Sequence, residues 1–128
     1  MAGDKPLKDY GQFCPVAKAT EVLGEKWMLL ILRELLLGTH RYSEFQRALS
    51  RISPSLLTKR LKQLESAGII IRKAQQGRKG FDYFLTPAGK ELAPIVEHLA
   101  TWGMRWARGQ LSDDELDVEF LMWDIQRR

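Results

Sequence analysis

The sequence predicts a mainly helical α+β fold that carries one small antiparallel β-hairpin. Three observations point to it. Apolar residues recur at helical spacing in several separate segments. Ser53-Pro54 and Thr86-Pro87 each offer an N-cap followed by proline at the first helical position. Between these pairs, Ile69, Ile70 and Ile71, and then the alternating Phe81, Tyr83 and Leu85, read as two strands around the turn Gly77–Gly80. Two short helices followed by a hairpin give the order of a winged helix-turn-helix.

Taken in order, residues 1–11 read as a polar arm. Cys14-Pro15 opens a first helix, with Val16, Ala19, Val22 and Leu23 at helical spacing and Gly24 as its stop. A second helix is expected from about Lys26 to Leu37, with Trp27, Leu30, Ile31 and Leu35 on its core face and Gly38 ending it. His40 to Tyr42 suits a short strand. Ser43 is the expected N-cap of a helix through Leu49 that turns Phe45 and Leu49 inward. The helix from Pro54 runs to about Ser66 and stops at Ala67-Gly68. A long helix is expected from Pro87 to about Arg108, with Pro94 as a kink point. Ser112 and Glu115 form a capping box for a last helix, with Asp113 and Asp114 in its first turn. The expected organisation is therefore an arm (1–11), one domain (12–108) and an acidic-then-basic C-terminal helix (109–128).

Charge is distributed unevenly. The 128 residues hold 20 Lys and Arg against 16 Asp and Glu, a net charge of +4. From Arg33 to Gly80 eleven bases face three acids (Glu34, Glu44 and Glu65), whereas from Gly109 to Arg128 six acids face two arginines. Such segregation suggests a polyanion partner for the middle of the chain and not for its tail. The longest apolar run, Trp27 to Leu37, is interrupted by Arg33 and Glu34 and is too short to span a bilayer. No apolar signal core follows the N-terminus, and Cys14 is the only cysteine, so no intrachain disulfide can form. A soluble cytosolic protein with no membrane association is the expectation.

The helix from Pro54 carries the sharpest functional signal. Leu57, Leu61 and Leu64 lie in one narrow stripe and face the core. The opposite face then presents Ser55, Lys59, Lys62 and Ser66, with Thr58 and Gln63 on its flanks. Lys59 and Lys62 can reach phosphates or guanine edges, and Ser55 and Thr58 can donate to phosphates or bases. Ser53 and Ser55 sit where free backbone N–H groups favour a phosphate. Arg41, Arg78 and Lys79 complete the expected contact set for double-stranded DNA, the last two at the tip of the wing, residues 76–80. The alternative for Lys59 and Lys62 is a merely solvated helix face. Arg60, nearer the core edge, has Glu65 and Glu44 as candidate partners.

Taken together, Cys14-Pro15, Leu23-Gly24-Glu25-Lys26-Trp27, Gly38, Arg41-Tyr42, Glu44-Phe45, Ile52-Ser53, Leu57-Thr58, Leu64-Glu65, Gly68-Ile69, Leu85-Thr86 and Trp102 form a specific ordered set. On these residues the chain resembles the HxlR-type branch of the MarR-like winged helix-turn-helix regulators, over about residues 12–106. The resemblance implies a dimeric transcription factor on pseudo-palindromic operators, with the helix from Pro54 in the major groove. It also implies a redox or electrophile sensor at Cys14, whose place at a helix N-terminus favours a reactive thiolate. The competing reading of Cys14 is a small residue packed at a dimer seam. Gly77-Arg78-Lys79-Gly80 departs from the bulkier, proline-containing wing frequent in that family, and the acidic segment after Gly109 is unusual for its short members. An end at Arg127-Arg128 is compatible with a shortened relative or with a piece of a longer chain.

Ile95, Leu99, Trp102 and Trp106 follow a helical stripe that so small a domain cannot bury alone. Together with Cys14 and Val16 they form the expected homodimer interface, and a ligand pocket lined by Trp102 and Trp106 is the alternative. His40 and His98 are too few and too separated for a metal site, and the acids at 113–115 are explained by a helix start. No Ser-His-Asp or Cys-His arrangement and no glycine-rich phosphate loop occurs. The sequence therefore predicts no enzyme, no metal and no cofactor. It predicts a homodimeric DNA-binding regulator, more readily a repressor than an activator, with a small-molecule or oxidant effector as a further partner. A winged-helix protein-interaction module is the alternative.

Overall fold

A computed structural model describes residues 9–107 apart from Gln12. The expected helix from Ser112 and most of the N-terminal arm lie outside the described residues. The chain divides into two compact units, residues 1–91 and 92–128.

The first unit contains α1 (Pro15–Leu23), α2 (Met28–Leu36), α3 (Tyr42–Ala48), α4 (Pro54–Ser66), β1 (Ile70–Ala74), β2 (Phe81–Leu85) and α5 (Pro87–Lys90). The strands pair antiparallel, with Ile70 opposite Leu85 and Ala74 opposite Phe81. The expected strand at His40–Tyr42 is reduced to a single bridge between Arg41 and Asp82, supported by the Tyr83 N–H donating to the His40 carbonyl at 2.8 Å. Tyr42 is already helical, so nothing remains to extend the ladder.

The core is built from Met28, Ile31, Leu32 and Leu35 of α2, from Phe45, Leu49 and Ile52, from the α4 leucines, and from Ile70. Each fully buried side chain of this size contributes about 1.5–3 kcal/mol relative to exposure. The inward face of α2 differs from the one expected, because Leu30 is exposed while Met28 and Leu32 are buried. Positions 28, 31, 32 and 35 share a face, and Trp27, in the left-handed region (φ 78°), stands before the first regular turn.

The expected helix from Pro87 to Arg108 is interrupted. It ends after one turn at Lys90, and α6 (Ala93–Trp102) opens the second unit, followed by a π-helical turn, Gly103–Ala107. Pro94 explains the break, since it lacks the N–H that would bond the Lys90 carbonyl and its ring crowds that carbonyl. Gly89 lets α5 approach the hairpin, because a Cβ there would collide with the Ile69 carbonyl and the Leu85 side chain. Among the described residues no helix is long and apolar enough to cross a membrane.

Candidate nucleic-acid interface

Helix α4 is fixed at both ends. The Ser53 hydroxyl accepts from the Leu56 N–H at 3.1 Å, and Pro54 occupies the first helical position. At the other end Gly68 (φ 78°) lets the Ile69 N–H reach the Leu64 carbonyl at 2.9 Å and its own N–H reach Glu65 at 3.0 Å, a Schellman closure. Leu57, Leu61 and Leu64 are buried, and Ser55, Thr58, Lys59, Lys62 and Ser66 are exposed. Ser53 is exposed as well.

Gln63 is a correction. It is only 4 % exposed, and its side-chain carbonyl accepts from the Arg60 guanidinium at 2.8 Å. A flanking position of α4 is covered by the chain itself, which removes Gln63 from the contact surface. Arg60 is likewise buried, at 6 % exposure, and its partner is neither Glu65 nor Glu44. Its Nε donates to the Lys26 carbonyl at 2.8 Å, and Nη2 lies 3.6 Å from the Glu25 carboxylate. Helix α4 is thereby tied to the α1–α2 turn beside the left-handed Trp27, a conformation that costs a bulky residue about 1–2 kcal/mol.

Helix α3 braces the start of α4. The Glu44 carboxylate accepts from the backbone N–H groups of Arg41 (3.2 Å) and His40 (3.4 Å), so Glu44, and not Ser43, organises this N-terminus. These bonds, that from Arg41 first, hold the Glu44 carboxyl below the ordinary glutamate range. From the first position of α3 the Tyr42 hydroxyl reaches the Pro54 carbonyl at 2.7 Å and the Thr58 hydroxyl at 3.0 Å.

The wing is closed by Gln75, whose backbone N–H donates to the Gly80 carbonyl at 3.1 Å and whose side chain donates to Asp82 at 2.8 Å. Arg78 and Lys79 are exposed at its tip, and Arg41 is exposed at its base. The three acids of the segment are all engaged. Glu34 pairs with Arg33 at 3.1 Å, Glu44 caps α3, and Glu65 lies 3.9 Å from Arg72, whose guanidinium covers the Phe81 ring at 4.2 Å. Arg41, Arg47, Arg51, Lys59, Lys62, Lys73, Arg78 and Lys79 remain exposed. An exposed cationic surface around a helix with a polar outer face suits the phosphate backbone of a duplex.

The model of the HxlR-like helix-turn-helix family matches residues 22–111. The chain belongs to that family. It is a DNA-binding transcriptional regulator, and regulation of this kind is not a catalytic activity. The HTH-type transcriptional regulator YvaP of Bacillus subtilis (strain 168) is 37% identical over 97 residues, covering 74% of this chain and 90% of that protein. An HTH-type regulator of Methanothermobacter thermautotrophicus is 35% identical over 110 residues, covering 85% of this chain and 84% of its own. Among solved structures, the redox regulator HypR in its reduced form superposes with a TM-score of 0.68 at 32% identity, covering 77% of this chain and all of that one. Quinone-bound YodB from B. subtilis gives a TM-score of 0.63 at 29% identity, covering 73% of this chain and all of that one.

In this HxlR-like regulator Cys14 is the exposed N-cap of α1, its Sγ accepting from the Ala17 N–H at 3.3 Å. Val16 is 75 % exposed, and no residue of α1 is buried. On α6 and the turn after it, Ile95, Leu99, Trp102 and Trp106 are exposed, the two tryptophans by 60 % and 69 %. The partners of Tyr42 and Glu25 escaped the reading of the sequence. Tyr42 lies sixteen residues before Thr58, and Glu25 lies still further from Arg60, so no local spacing signals either pair.

Proposed function

We propose that this regulator is a homodimeric repressor that binds a pseudo-palindromic operator, with α4 in the major groove and the wing at 76–80 on the backbone or minor groove. One observation carries the reading. Leu57, Leu61 and Leu64 are inside while Lys59, Lys62, Ser55 and Thr58 are outside, so the polar face is available to a duplex. Ser53 and Ser55 at the helix start, Arg41, and Arg78 and Lys79 on the wing supply backbone contacts. Val16 on α1, and Ile95, Leu99, Trp102 and Trp106 on and after α6, each pack against the second copy. Such apolar side chains in water mark an association surface. Two α4 helices then enter successive major grooves about 34 Å apart.

The effector is an oxidant or a small electrophile acting at Cys14. Its exposure supports this, as does the likeness to a redox regulator and to a quinone-bound regulator. With one cysteine per chain, oxidation joins two subunits or captures a small thiol.

Selection of bound sites from random duplexes, with and without oxidant, tests the whole reading. The expected result is an inverted-repeat site whose affinity falls steeply with salt. Replacing Lys59 and Lys62 with Ala lowers the salt slope by about 0.9 for each phosphate that is no longer neutralised. Specific binding that survives both substitutions unchanged removes α4 as the recognition element. Binding without salt dependence favours a protein-interaction module instead.

A further inference from the structure

We propose that Thr58 reads the major groove solely as a hydrogen-bond acceptor, because Tyr42 fixes the direction of its hydroxyl. The inference rests on the placement of α4 in the major groove and goes on to the chemistry of one contact. A phenol carries one proton, and a threonine hydroxyl carries one proton and two acceptor sites. The Tyr42 hydroxyl lies 2.7 Å from the Pro54 carbonyl, which can only accept, so the phenolic proton is directed there. Tyr42 has no second proton for Thr58. The 3.0 Å contact between the two hydroxyls is therefore made by the Thr58 proton pointing at Tyr42. What the exposed Thr58 offers to a ligand is the remaining lone-pair side of Oγ1 and its methyl group.

This sets a base preference. In the major groove adenine N6 and cytosine N4 donate, whereas guanine O6 and N7, thymine O4 and phosphate oxygens accept. An acceptor-only hydroxyl matches adenine or cytosine on the contacted strand. It meets guanine, thymine or a phosphate oxygen with lone pair against lone pair. To donate outward, Thr58 has to give up its bond to Tyr42. Tyr42, which does not itself need to touch DNA, thus acts as a positioning residue for specificity. Lys59 and Lys62, as donors only, supply the complementary readout on the same face.

Site selection from random duplexes with the full chain tests the proposal, comparing the wild type with Thr58→Val and Tyr42→Phe after thermal unfolding has shown each to be folded. The wild type selects adenine or cytosine at one position of each half-site, and guanine or thymine there weakens binding about tenfold. In Thr58→Val that discrimination shrinks to under about twofold at this position alone, judged against the same mismatch cost. Tyr42→Phe frees the hydroxyl to rotate, and guanine and thymine enter the selected set at the same position. If Tyr42→Phe does not fold, the wild type decides on modified duplexes. Removing the 6-amino group of the selected adenine, or the 4-amino group of the selected cytosine, costs the same factor. An unchanged preference in either variant, or no cost from removing the amino group, overturns the proposal while leaving α4 as the recognition helix. A wild type that selects no sequence at all overturns both.

Discussion

In α4 the stripe Leu57, Leu61 and Leu64 is inside and the polar residues face out, whereas in α6 Ile95, Leu99 and Trp102 are exposed and Val96 is the buried residue. Both helices carry apolar residues at helical spacing, so periodicity alone gives them the same description. What differs is where the cover comes from. Leu57, Leu61 and Leu64 of α4 are covered within the chain. Ile95, Leu99 and Trp102 of α6 stay in water, which fits the proposal that a second copy covers them. A helical stripe thus states that a surface has to be covered and leaves open which chain covers it.

Paired substitutions break or sharpen this contrast. Leu61→Ala is expected to cost about 2–5 kcal/mol in urea unfolding at any protein concentration, because it opens a cavity in a packed core. Leu99→Asp is expected to leave unfolding of the dilute chain within about 0.5 kcal/mol, as an exposed position does. In sedimentation it is expected to abolish the proposed dimer. If Leu99→Asp unfolds the chain as Leu61→Ala does, the two helices are not different in kind. If it leaves the assembly unchanged, α6 is not the seam.

The same contrast explains what the sequence disclosed. The bounds of α4 were legible because Ser53, Pro54 and Gly68 act within one turn of the backbone. The leucine stripe was legible because it sits at the centre of the buried face. The flanks were not. Whether Arg60 meets water depends on the α1–α2 turn, which bonds to it from more than thirty residues away, and Gln63 is held in turn by Arg60. The face of α2 was not legible because Met28 to Leu32 are all apolar, so periodicity does not choose between Leu30 and Leu32. The break before Pro94 had a local cause, and the proline marked its place, but a kink and a full interruption carry the same sequence signal. The partnership of Tyr42 with Thr58 joins two helices, and spacing along one helix cannot reveal it.

Arg60 gives the next largest effect and probes the flank between the two faces of α4. Arg60→Met keeps much of the volume and removes the bonds that Arg60 donates to the Lys26 carbonyl and the Gln63 side-chain carbonyl. The expected loss is about 2 kcal/mol, the cost of losing hydrogen bonds from a buried charged donor. Arg60→Lys recovers only part of it, because an ammonium cannot span three acceptors held in a guanidinium's geometry. Glu25→Gln costs under about 1 kcal/mol, since that carboxylate is partly in solvent. Unfolding by urea checks all three. A neutral or stabilising Arg60→Met means that apolar packing serves this flank as well as the buried guanidinium does.

The smallest expected effect separates the two helices of the helix-turn-helix by the chemistry of their N-termini. Helix α4 is capped by the Ser53 hydroxyl, which does not titrate in the acid range, whereas α3 depends on the Glu44 carboxylate. Backbone donors lower the Glu44 value in the folded chain. Its contribution to stability is therefore complete above the unfolded glutamate value, and it is lost as pH falls through the lower folded value. Urea midpoints measured downward from about pH 5 should fall less steeply in Glu44→Gln than in the wild type. Ser53→Ala should instead shift the midpoint by a similar amount at every pH, about 1 kcal/mol. Identical acid slopes for Glu44→Gln and the wild type would show that the carboxylate does not hold the start of α3. The support of Tyr42, and through it of Thr58, then has to come from elsewhere, such as the packing of the buried Phe45 and the bond of Tyr42 to the Pro54 carbonyl.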